Sequence, residues 1–95
     1  MTIGALQAQR AKILELAARH GVHNVRVFGS IARGDAGAGS DIDLLVEVEP
    51  ARTLLDVIAF EQDLEDLLGR SVEVLTDGGL SPYLRQRILA EAAAL

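Results

Sequence analysis

The chain has 95 residues, 49% of them hydrophobic, and its aromatic residues are two Phe and one Tyr, so any core must be aliphatic. Net charge is −5 with the acids gathered between Asp41 and Asp77, which leaves no basic stripe for direct binding of nucleic acid. There is no cysteine for disulfides or thiolate zinc, and no apolar run of about 18 residues to span a membrane.

The first residues include Gln7, Gln9, Arg10 and Lys12, which interrupt any apolar stretch of the signal-peptide kind; the expectation is a cytoplasmic protein. No repeat, linker or low-complexity segment divides the chain, so residues 1–95 read as one domain. Thr2 is placed to cap a helix over residues 3–19, with Leu6, Ile13, Leu14 and Ala17 on one stripe and His20-Gly21 as its stop. Val25-Arg26-Val27-Phe28 reads as a short strand. Gly29-Ser30 then turns the chain, Ile31-Ala32-Arg33 adds a helical turn, and a small-residue loop occupies 35–40.

Asp41 to Val48 reads as a second strand closed by Pro50. Alternation puts Ile42, Leu44, Val46 and Val48 on one face, wholly apolar and therefore toward the core. Asp41, Asp43, Leu45 and Glu47 share the other, with the two aspartates about 7 Å apart along the strand. Thr53, with Asp56 completing a capping box, starts a helix over 54–68 with Leu54, Val57, Ile58, Leu64 and Leu68 on its stripe; Gly69 ends it. Val72–Leu75 is a third strand, Asp77-Gly78-Gly79 a turn. Ser81-Pro82 opens a last helix with Leu84, Ile88, Ala92 and Leu95 as its buried stripe. The expected fold is α/β (α+β): a small mixed three-stranded sheet with helices packed on one face.

Two carboxylates at i and i+2 on one strand face suit hard, oxygen-seeking Mg²⁺, and a Gly-Ser corner offers a backbone amide and a hydroxyl to phosphate oxygens. Together they outline a nucleotide site. Arg33 is placed either to neutralise phosphate or to pair with Asp35. Ser40 either helps position the metal loop or only turns it. His20 and His23 flank a helix stop, where a cation suits the helix dipole. Arg85 and Arg87 read as a solvated helix face.

The spacing Gly29-Ser30, ten residues, Asp41-Ile42-Asp43 is the signature of the polymerase-β-like nucleotidyltransferase superfamily. The wider wording, Gly-Ser-Ile-Ala-Arg-Gly-Asp-Ala…Ser-Asp-Ile-Asp-Leu-Leu-Val-Glu, resembles its minimal nucleotidyltransferase (MNT) branch over essentially the whole chain. The resemblance implies the polymerase-β-like fold, with Gly29 and Ser30 holding the triphosphate and Asp41 and Asp43 binding Mg²⁺, two ions being usual. The family's third carboxylate matches Glu73, one methylene longer than the usual aspartate. Glu73 is set apart by alternation from Val72 and Val74, and it is a better candidate than Asp77 in the turn.

The MNT resemblance further implies an antitoxin that pairs with a HEPN-domain ribonuclease toxin in a hetero-oligomer. Its activity would be transfer of AMP from ATP to a tyrosine hydroxyl of that toxin, with Glu73 accepting or orienting the tyrosine proton. A chain of this size leaves little room for an acceptor-binding domain, which agrees with an acceptor supplied by a partner. Two alternatives stand beside this: a non-catalytic antitoxin that neutralises its toxin by binding, and a small-molecule nucleotidyltransferase subunit.

Overall fold

Four strands, residues 72–76, 42–48, 22–28 and 93–94 in that spatial order, form one mixed sheet. The computed structural model describes residues 1–37 and 39–95, so Ala38 of the small-residue loop lies outside the described residues. In chain order the elements are α1 (Ile3–Ala8), α2 (Arg10–Arg19), β1 (Val22–Phe28), α3 (Gly29–Arg33), β2 (Ile42–Val48), α4 (Leu54–Leu68), β3 (Val72–Thr76), α5 (Pro82–Glu91) and β4 (Ala93–Ala94).

The expected first helix is two. Thr2 caps α1, its Oγ1 accepting from Ala5 N at 3.1 Å, but the chain breaks at Gln9 before α2 begins. Leu6, Ile13 and Ala17 of the expected stripe still all reach the core from the two pieces. Gly21, at φ +68°, stops α2 and admits β1.

β1 is longer than Val25–Phe28 and carries a bulge. Its register with β2 slips by one between His23 and Arg26, where Asn24 sits at φ +50°, a conformation that asparagine tolerates. The slip lets Val22 and Val25, three apart, both face the core with Val27. Ile42, Leu44 and Val46 of β2 are 0–1% exposed, as their alternation requires.

α4 covers that core with Val57, Phe60 and Leu64 rather than the full expected stripe: Leu54 and Ile58 are 70% and 40% exposed. Phe60, 0% exposed, was absent from the sequence stripe yet is the largest fully buried side chain. The capping contact holds, Thr53 N donating to Asp56 Oδ2 at 2.9 Å, and this bond keeps the Asp56 carboxyl below its ordinary range.

The sheet has four strands, not three. The expected α5 stripe ending in Ala92 and Leu95 is broken because the chain leaves the helix after Glu91 and pairs Ala93–Ala94 with β1. α5 buries no residue, and Leu84 is 46% exposed. This helix lies over the carboxylate face. Asp77 fixes it there, accepting from Arg26 Nη2 at 3.2 Å and from Arg85 Nε at 2.5 Å. Both arginines hold the Asp77 carboxyl below its usual pKa, Arg85 foremost.

A nucleotidyltransferase site at the start of the second strand

The antiparallel register pairs Phe28 with Asp43, so the chain turns at Gly29 directly beside that aspartate. Gly29 is required twice over. Its φ is +73°, and a Cβ there would collide with Asp43 Oδ2 and stand 3.1 Å from its Cγ. The Gly-Ser motif and the second metal-type carboxylate, Asp43, separated by a dozen residues in sequence, are thus in van der Waals contact.

On its other side Asp43 faces Glu73, its partner in the parallel β2–β3 ladder. The Asp43 carboxyl is raised to about 6, first by desolvation, then by the charges of Glu73 and Asp41 and a side-chain hydrogen bond with Glu73; Arg33 opposes the shift. A neighbouring carboxylate disfavours the charged form of Asp43, and a bound divalent cation relieves that repulsion. The donor set is all oxygen and suits Mg²⁺. Among the described residues, however, no three His, Cys, Asp or Glu side chains converge closely enough to hold a metal ion as placed.

Phe28, Gly29, Ser30, Arg33 and Asp43 line a cleft of about 420 Å³, closed on its far side by Leu84, Arg87, Ile88 and Glu91 of α5. Arg87, expected on a solvated face, lines this cleft with its guanidinium 5.8 Å from the centre of the Tyr83 ring. Arg33 makes the Asp35 pair, Nε donating to Asp35 Oδ2 at 3.2 Å, and its Nη1 also donates to Glu91 Oε2 at 3.1 Å. Asp41 is exposed and lies with Gly39, Ser40, Gly69, Arg70 and Ser71 on a separate concavity. Ser40 does not reach the cleft; its Oγ accepts from Gly37 N at 2.9 Å, so it turns the loop. His20 and His23 lie elsewhere, bonded to Asp63 and Glu49.

A larger concavity of about 980 Å³, lined by Glu47, Glu49, Arg52, Leu54 and Asp77 among others, opens at the opposite end of β2. It lacks the glycine corner and the paired carboxylates. Glu91 is the residue of the smaller cleft that sequence reasoning missed. One signal was available: a carboxylate in the last turn of a helix opposes the helix dipole and calls for a specific cationic or amide partner.

Strand, glycine corner and paired carboxylates define a nucleotidyl-transfer domain, and the comparisons agree: residues 10–95 match the family described as "Nucleotidyltransferase domain". The chain belongs to this family and is a nucleotidyltransferase. It is 42% identical over 83 residues to a Methanocaldococcus jannaschii protein provisionally named a protein adenylyltransferase, covering 87% of this chain and 89% of that one. It is 40% identical to the protein adenylyltransferase MntA of Thermococcus cleftensis, over 81% of this chain and 78% of the relative. A solved structure provisionally described as a minimal nucleotidyltransferase is 49% identical, with a TM-score of 0.89 over 100% of this chain and 97% of the other. A Shewanella oneidensis MNT antitoxin in complex with tri-AMPylated HEPN toxin, 20% identical with a TM-score of 0.70 over 93% and 69% of the chains, shares the fold.

Proposed function

We propose that this chain is an antitoxin that transfers AMP from ATP to a tyrosine hydroxyl of a HEPN-domain ribonuclease toxin. The observation that carries the reading is the placement of Asp43 between the Gly29 corner and Glu73. The relatives named protein adenylyltransferase, and the HEPN toxin complex that shares the fold, support the choice of acceptor.

In this reading the Gly29 amide, Ser30 and Arg33 grip the triphosphate. Asp41, Asp43 and Glu73 are the residues that would hold Mg²⁺. When bound there the metal neutralises charge on the triphosphate and acidifies a nearby hydroxyl. The tyrosine oxygen forms its bond to the α-phosphorus as the bond to pyrophosphate breaks, and Glu73 accepts or orients the tyrosine proton.

The test is transfer of labelled AMP from ATP to the partner toxin, which is expected to disappear in both Asp41→Asn and Asp43→Asn. Persistence of transfer in the two variants overturns the assignment. A second reading, neutralisation by binding alone, is favoured by the lack of three converging carboxylates among the described residues. An Asp41→Asn/Asp43→Asn double variant that still suppresses toxicity would establish it.

A further inference from the structure

The groups that would grip phosphate are already engaged by a carboxylate of the chain itself. Gly29 N donates to Glu91 Oε1 at 2.9 Å. Arg33 Nη1 donates to both Glu91 oxygens, Oε2 at 3.1 Å and Oε1 at 3.4 Å. A planar anion accepting one backbone amide and one guanidinium makes the set of contacts that a phosphate would make. Both cannot occupy the same donors. If Glu91 stayed, its charge would also repel the triphosphate.

The segment that carries Glu91 is lightly held. α5 contributes no buried residue, and the side chain of Glu91 is itself 30% exposed. Beyond it, β4 is a two-residue edge strand, secured by its pairing with Arg26 and Val27, by Leu95 N donating to Val25 O at 3.1 Å and by the half-buried Leu95 side chain against the core. Arg10 Nε adds one bond to Leu95 O. Elements with few buried contacts and exposed hydrogen bonds open at small cost. The Asp77–Arg85 pair fixes the other end of α5, so the C-terminal end can swing while the helix start stays attached.

We propose that Glu91 is a built-in competitor for the nucleotide, and that the end of α5 with β4 is a latch released when a triphosphate takes the Gly29 amide and Arg33. This rests on the reading of the Gly29 corner as the triphosphate site. The latch keeps the cleft closed to weak or truncated phosphate ligands, and nucleotide binding frees the end of α5 and β4.

Calorimetric titration of the full chain with ATP and Mg²⁺ tests it, in wild type, Glu91→Gln and Glu91→Ala. Removing the competitor should tighten binding about three- to tenfold in both variants. Glu91→Gln preserves the side-chain shape in case Glu91→Ala disturbs the fold. Wild-type hydrogen exchange, which needs no variant, should show residues 93–95 exchanging faster at saturating ATP. Equal or weaker binding in both variants, or unchanged exchange at 93–95 in saturated wild type, overturns the latch and leaves the triphosphate site standing. Absence of ATP binding in all three proteins overturns both.

Discussion

Asp43 and Glu73 face each other across the parallel β2–β3 ladder, and desolvation first, then the charge of Glu73, lifts the Asp43 carboxyl to about 6. The pairing follows from backbone register, since Ile42↔Val72 and Leu44↔Val74 put the apolar partners below the sheet and leave the two acids together above it. The third-strand glutamate therefore stands beside the second-strand aspartate. The extra methylene leaves the pair intact.

Glu73→Gln removes one of the charges that raise Asp43 while leaving desolvation, the larger cause. The Asp43 carboxyl should therefore fall from about 6 but remain above its ordinary value. The sign follows from proton binding. Between the ordinary carboxylate pKa and about 6, folded Asp43 holds more proton than the unfolded chain does. Stability is thus lost as pH rises through that window. In metal-free buffer, Tm measured from pH 4 to pH 7 should fall less steeply in Asp43→Asn than in wild type, and an unchanged slope would show that Asp43 is not raised.

Gly29→Ala should be damaging out of proportion to its size. The new methyl would have to enter the space of Asp43 Oδ2 at φ +73°, a region costing a non-glycine residue roughly 1–2 kcal/mol. The carboxylate must move for the chain to fold. AMP transfer should drop by at least about 100-fold, the cost of about a 1 Å misplacement at a reacting centre. Tm and transfer rate measured together check this; wild-type activity in Gly29→Ala would refute the close fit.

Phe60 carries the α4 face of the core. Phe60→Ala should cost about 3–5 kcal/mol through lost burial and the cavity left behind. For a domain of this length that is a large share of total stability. Urea unfolding gives the difference directly, and a loss below about 1 kcal/mol would mean that the core collapses around the vacancy.

The outer edge of β3 is sealed by α4. Glu65 Oε2 accepts from Val72 N at 3.0 Å and Glu61 Oε2 from Val74 N at 3.1 Å, one helical turn apart. These carboxylates occupy the backbone donors that a foreign strand would use. The Glu61→Ala/Glu65→Ala double variant should lose about 1–3 kcal/mol and self-associate. Sedimentation at increasing concentration reads the second effect, and a monomer at all concentrations would argue against an edge-capping role.

Much of the site was legible because it is built from local rules. Alternation in Asp41–Val48 assigned the carboxylate face, and the glycine before a helical turn marked the corner. Glu73 stood out against Val72 and Val74 by the same period of two. What stayed hidden depends on contacts between distant segments. Phe60 falls in a helix whose apolar residues are too numerous to define one stripe, and only packing chose Phe60 over Leu54 and Ile58. The bulge at Asn24 shifts β1 by one residue, and a lone asparagine inside a strand does not by itself announce it.

The sequence by itself determined which groups are available: a glycine-serine corner at Gly29-Ser30 and carboxylates at Asp41, Asp43 and Glu73. These follow from residue type and strand period, which act over a few residues. Tertiary structure decided what each group meets. Register set Asp43 against Gly29 and Glu73, and it sent Ser40 to its own loop. The exit of the chain from α5 into β4 set Glu91 on the Gly29 amide and Arg33. The physical reason is that a carboxylate's role is fixed by its partner's position, and residues 29 and 91 become neighbours only when the sheet has formed.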